Sequence, residues 1–135
     1  MHSTSIQLIL LLLITPSYSQ FSQVQTLTEK VFTTQQIDIS DDGSIMVASD
    51  WGKIYVYVMN NGLYSHQQTV ENGSFVLRGV DLTADGKYLL QGSGDTNLTI
   101  YENVNNNFVF YKAIPHIDDQ DSRSVAMTDD YEWVF

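Results

Sequence analysis

Val80 to Tyr101 reads VDLTADGKYLLQGSGDTNLTIY, and this stretch decides the fold because it holds three short strands and two reversals in one run. Apolar residues alternate at Val80 and Leu82 and again at Tyr88 and Leu90, the period of two expected of half-buried strands. Between them, Ala84-Asp85-Gly86 supplies a side-chain acceptor and a residue free to take positive φ, which a tight turn needs. A second reversal falls at Ser93 to Asn97. The phrase then recurs, as IDISDDGSIMVASDWGKIYVY from Ile37 and as VAMTDDYEWVF from Val125, so the copies start 43 and 45 residues apart.

Each unit has a fourth strand. FSQVQTLTE from Phe21 lays on YSHQQTVE from Tyr64, matching Gln25 to Gln68 and Leu27 to Val70, and FVFYKAI from Phe108 to Ile114 is the third copy. Asn60-Asn61-Gly62 and Asn105-Asn106-Asn107 join the third strand to the fourth, with residue types that tolerate the positive φ of a primed turn. Thr28 to Gln36 and Glu71 to Gly79 read as connections. The expected class is all-β, built from four-stranded antiparallel units: an outer strand at 21–27, units at 37–70 and 80–114, and a partial unit at 125–135. That amounts to about two and a half units in an incomplete ring.

Composition removes several function classes. The 135 residues carry 16 acidic and 6 basic side chains, a net charge of −10, with no basic cluster. Nucleic acid and anionic membrane surfaces both need grouped Lys and Arg, so neither is expected as a partner. There is no cysteine, which excludes disulfides, thiolate nucleophiles and thiolate metal sites. Residues 1–19 differ from the rest: Leu8 to Ile14 is an unbroken apolar run ended by Pro16, too short to span a bilayer. Ser17-Tyr18-Ser19 then offers small residues where a signal peptidase requires them, so cleavage after Ser19 and secretion are expected. The alternative is a membrane anchor formed by the uncleaved segment.

Four-strand units at this spacing mark β-propeller blades, and VDLTADGKYLLQGSGDTNLTIY resembles a WD-repeat blade or its secreted relatives. Strand three ends in Tyr57-Val58 and Tyr101-Glu102 where that family has a Trp-Asp pair, so its buried His-to-Asp network is not carried over. The resemblance implies a ring of blades, and a chain with this count is expected to be a piece of a longer protein or to close a ring by self-assembly.

Candidate functional residues are few. Asn72-Gly73-Ser74 and Asn97-Leu98-Thr99 are glycosylation triplets, placed by propeller connectivity at the same end of the blades. Asp41-Asp42, Asp118-Asp119 with Asp121, and Asp129-Asp130 suggest calcium, but match no calcium-loop spacing and suit turn hydrogen bonds better. No metal or cofactor is therefore expected. Trp51, beside Gly52 in a turn, is a candidate recognition contact. His66 and His116 sit in no nucleophile or metal motif, and a triad of Ser74 or Ser93 with His66 is no better than chance. The expected function is a non-catalytic, secreted propeller module that binds other proteins. The alternative is part of a propeller enzyme of quinoprotein or lactonase type, whose active groups would line a central funnel.

Overall fold

In the computed structural model the Ser40-Asp41-Asp42-Gly43 and Thr83-Ala84-Asp85-Gly86 phrases close the same turn. Asp42 accepts from the Ser40 hydroxyl and the Ser44 N–H, both at 2.8 Å. Asp85 accepts from the Thr83 hydroxyl at 2.8 Å and the Lys87 N–H at 2.9 Å. Gly43 and Gly86 follow at φ of 68° and 69°. Asp130 takes the same two partners in the third copy, the Thr128 hydroxyl and the Glu132 N–H. The structure describes residues 36–71, 77–93, 97–115 and 124–130, with Gln25, Leu27 and Glu132. The leader at 1–19 and Tyr131 lie outside them.

Around these turns the chain forms two four-stranded antiparallel sheets. The first is β1 (Gln36–Ile39), β2 (Ile45–Asp50), β3 (Lys53–Asn60) and β4 (Leu63–Glu71). The second is β5 (Leu77–Leu82), β6 (Tyr88–Ser93), β7 (Asn97–Val104) and β8 (Asn107–Pro115). Strands follow one another in sequence order within each sheet. The hairpins β3–β4 and β7–β8 turn through left-handed residues, Asn61 and Gly62 in one, Asn105 and Asn106 in the other, as a primed turn requires. Register shifts fall at matching points, between Val56 and Tyr57 and between Ile100 and Tyr101. Two stretches read as connections are shorter than expected, because Gln36 and Glu71 pair in the first sheet and β5 starts at Leu77.

The sheets are blades stacked face to face. Ile45, Val47, Ile54, Val56 and Val70 of the first meet Val80, Leu82, Leu89, Tyr101 and Phe108 of the second in one apolar layer. A second layer lies on the far face of the second blade, where Tyr88, Leu90 and Ile100 pack on Val125 and Met127 of the third copy. The opposite outer layer, Met46, Ala48, Tyr55 and Tyr57, has Leu27 and Tyr64 against it. The two layers around the second blade are thus interfaces between consecutive units, as in a repeat protein stabilised by neighbour contacts. Ile37 and Ile39 in β1 are 54% and 46% exposed, whereas Val80 and Leu82, at the same positions of β5, are 0% and 7% exposed. The difference is coverage: β5 lies against the first blade, and among the described residues no preceding blade lies against β1.

Glutamine side chains tie the outer strands together. Gln68 donates to the Phe108 carbonyl at 2.9 Å and accepts from the Phe108 N–H at 2.7 Å. Gln25 does the same with Tyr64, at 2.7 and 2.8 Å. A carboxamide offers one donor and one acceptor in the spacing of a peptide group, so it makes a two-point bridge to a strand it does not pair with. This explains why Gln25 and Gln68 coincide when the repeats are aligned.

Candidate functional site

The first strands of the two blades, β1 and β5, run beside each other with one edge of each unpaired. Side chains of the preceding unit satisfy that edge. The Gln36 carboxamide oxygen accepts from the Val80 N–H at 3.3 Å, and Asp38 Oδ2 accepts from the Leu82 N–H at 2.7 Å. One unit on, Asp81 Oδ2 accepts from the Met127 N–H at 2.7 Å. In β1, Asp38 Oδ1 instead turns back to the N–H of Ile39 at 2.8 Å. Asp38 and Asp81 therefore repeat one role, each carboxylate fastening the next unit's first strand. Asp129 fastens the turn beside it, accepting from the Ala84 N–H at 2.9 Å, and the Asp41 N–H donates to the Ala84 carbonyl at the same distance.

Asp81 is the electrostatic centre of this edge. Burial pushes its carboxyl above the ordinary carboxylate range, the Met127 N–H opposes that rise, and the nearby Asp38 and Asp129 carboxyls add to it. The turn carboxylates behave oppositely. Asp42, Asp85 and Asp130 are held below the usual value, each by hydrogen bonds from its own turn. A raised carboxyl on a strand edge is among the features that mark candidate proton-transfer groups.

A pH prediction follows with a definite sign. A raised carboxyl favours the folded state when protonated, so the Asp81 contribution is full below the ordinary Asp range and is lost as pH rises through the raised value. The contributions of Asp42, Asp85 and Asp130 are present above the ordinary range and are lost as pH falls through their lowered values. Thermal melts of the wild-type protein should therefore lose stability as pH climbs from the carboxylate range toward neutrality. Asp81→Asn, uncharged throughout, should lack that loss. A melting temperature lowered by the same amount at every pH would show that Asp81 does not titrate in the fold.

The residues singled out in the sequence are dispersed. Trp51 is 65% exposed in the β2–β3 turn, where its backbone N–H donates to Asp50 Oδ1 at 2.6 Å. His66 bonds the Thr69 hydroxyl at 3.0 Å and stands edge-on to Tyr57. Asn97 opens β7 with its side chain exposed. Asn72, Ser74, His116 and Asp118-Asp119 with Asp121 lie outside the described residues. Among the described residues no group of three or more His, Asp or Glu side chains is placed to hold a metal, and no helix is long and apolar enough to cross a membrane. The residues that do converge, Gln36, Asp38 and Asp81, carried one signal: Asp38 and Asp81 occupy the same repeat position.

No family model and no curated protein matches the sequence. Solved structures do match its fold. A "putative 6-phosphogluconolactonase" from Bacteroides uniformis superposes with a TM-score of 0.61 at 16% identity, over 75% of this chain and 32% of its own. A protein of the same description from Bacteroides fragilis gives 0.62 at 15% identity, over 75% of this chain and 30% of its own. The chain thus spans about a third of the length of these structures. The likeness establishes a propeller-type fold and gives no support to the WD-repeat family in particular. It also corrects the expectation of a non-catalytic chain, because proteins described as lactonases use this fold, and lack of a familiar catalytic motif does not argue against catalysis here.

Proposed function

We propose that this chain supplies two blades and the start of a third to a propeller enzyme of lactonase type, with the unpaired β1/β5 edge on the reacting side. The likeness to the two solved structures carries the reading, which favours an enzyme over the interaction scaffold also considered from the sequence. Lactone hydrolysis adds water across a cyclic ester and needs a group to move the proton. Asp81, with its raised carboxyl, is the described residue suited to that task.

Two of the described lysines already have partners within the blades. Lys53 is engaged by Glu71 at 2.7 Å, and Lys87 lies 4.8 Å over the Tyr88 ring. The substrate class proposed is a sugar-type lactone, and whether it carries a phosphate is decided by the two arms of the test. The test is hydrolysis of gluconolactone with and without a 6-phosphate by the full-length protein and its Asp81→Asn variant. Turnover that falls at least about tenfold in the variant supports the reading. A folded protein inert toward both lactones would leave the scaffold as the better account.

A further inference from the structure

We propose that Asn97 is an N-glycosylation site, modified during export before β7 folds into its blade. The triplet Asn97-Leu98-Thr99 occupies the first three positions of β7. Its members meet different fates on folding. Asn97 is exposed. Leu98 is packed against the layer of Tyr88, Leu90 and Ile100. Thr99 is 8% exposed and lies between Gln91 of β6 and Ala113 of β8. Such a triplet, its hydroxyl residue included, serves as an acceptor where it is accessible at the surface. In the folded blade that would require pulling Leu98 and Thr99 out of the sheet, so the reaction belongs to the unfolded, exported chain.

The position can carry a large adduct. Lys53 opens β3 as Asn97 opens β7, three residues ahead of the same register shift. With the second blade packed against the first, the Lys53 side chain is still 47% exposed. Asn97 is therefore at a blade position that stays open to solvent when a following blade is in place. A glycan there would project from the end of the strand without entering either apolar layer.

The chemistry is a glycosyl transfer from a lipid pyrophosphate-linked oligosaccharide. The Asn97 amide nitrogen forms a bond to the sugar's first carbon, the bond from that carbon to the pyrophosphate oxygen breaks, and the lipid pyrophosphate leaves. The amide nitrogen gives up one proton to the enzyme's base. The site requires export, which the apolar run Leu8 to Ile14 and the Ser17-Tyr18-Ser19 segment suggest. It does not depend on the lactonase reading.

Expression of the whole chain, with its own leader, in a eukaryotic secretory host tests this directly. The exported protein should migrate more slowly, and peptide-N-glycosidase should remove the shift and leave an aspartate at position 97 in the peptide map. Asn97→Gln should abolish the shift assigned to this site, whereas Asn72→Gln should leave it in place. A synthetic peptide spanning 94–102 should accept an oligosaccharide in vitro, and the folded chain should not. Exported protein with a bare Asn97, a chain retained in the cytosol, or a folded chain modified as readily as the peptide would overturn the proposal.

Discussion

Gly86→Val is expected to destabilise the protein by about 3 kcal/mol, combining left-handed strain with overpacking. Gly86 sits at φ 69°, in the turn closed by Asp85, where its N–H donates to the Thr83 carbonyl at 2.8 Å. A β-branched side chain there collides with its own backbone, at roughly 1–2 kcal/mol. A second cost comes from the neighbouring blade. A Cβ at position 86 would stand 3.0 Å from Ile45 Cδ1 and 3.5 Å from Ser40 Cβ, so the first blade must yield. Crowding of a packed interface adds roughly 1–3 kcal/mol.

Gly43→Val separates the two causes. Gly43 has the same φ, 68°, but a Cβ there would approach only the Tyr64 hydroxyl, at 4.0 Å. That variant should therefore cost about 1–2 kcal/mol, the strain alone. Urea unfolding of both variants decides the matter. Equal losses would mean that the Asp85 turn does not press on the first blade.

Leu89→Ala should cost about 3 kcal/mol, within the range for deleting a buried leucine side chain. Leu89 is fully buried, in the layer where Ile45, Val47, Ile54 and Val56 of the first blade face the second. Removing three carbons opens a cavity between two rigid sheets that cannot collapse independently, which places the expected loss above that of a site free to relax. Met46 is the same position one blade earlier, 8% exposed, with Leu27 among its cluster's neighbours. Met46→Ala should lose less, because among the described residues only Leu27 comes from outside the first blade to cover its face. The check is the midpoint of denaturant unfolding at unchanged slope. If Met46→Ala proves as costly as Leu89→Ala, the two faces are equally covered and the asymmetry seen at Ile37 and Val80 is wrong.

Much of the architecture was legible because its signals are local. The Asp42 and Asp85 turns, the primed turns at Asn61 and Asn105, and the alternation through Tyr88 and Leu90 each concern residues within a few positions of one another. The repeat of Gln25 at Gln68 was equally visible. Its purpose was not, since the partner of Gln68 is the backbone of Phe108, 40 residues away. Of the acidic pairs, Asp42 and Asp130 serve as the turn acceptors that their sequence context suggested. Asp38 and Asp81 drew no attention, because an aspartate between two apolar strand residues looks like any solvated position until the next unit's N–H is placed against it.

By itself, then, the sequence determined the all-β class, the order of strands, the turn residues and the length of the repeat, all of which follow from backbone preference and period-two burial over short stretches. Only the tertiary structure decided which face of each blade covers which neighbour, why Ile37 is exposed and Val80 is not, and that Asp81 joins two units. Burial and carboxyl titration depend on what lies across an interface, and those contacts join residues separated by one whole repeat.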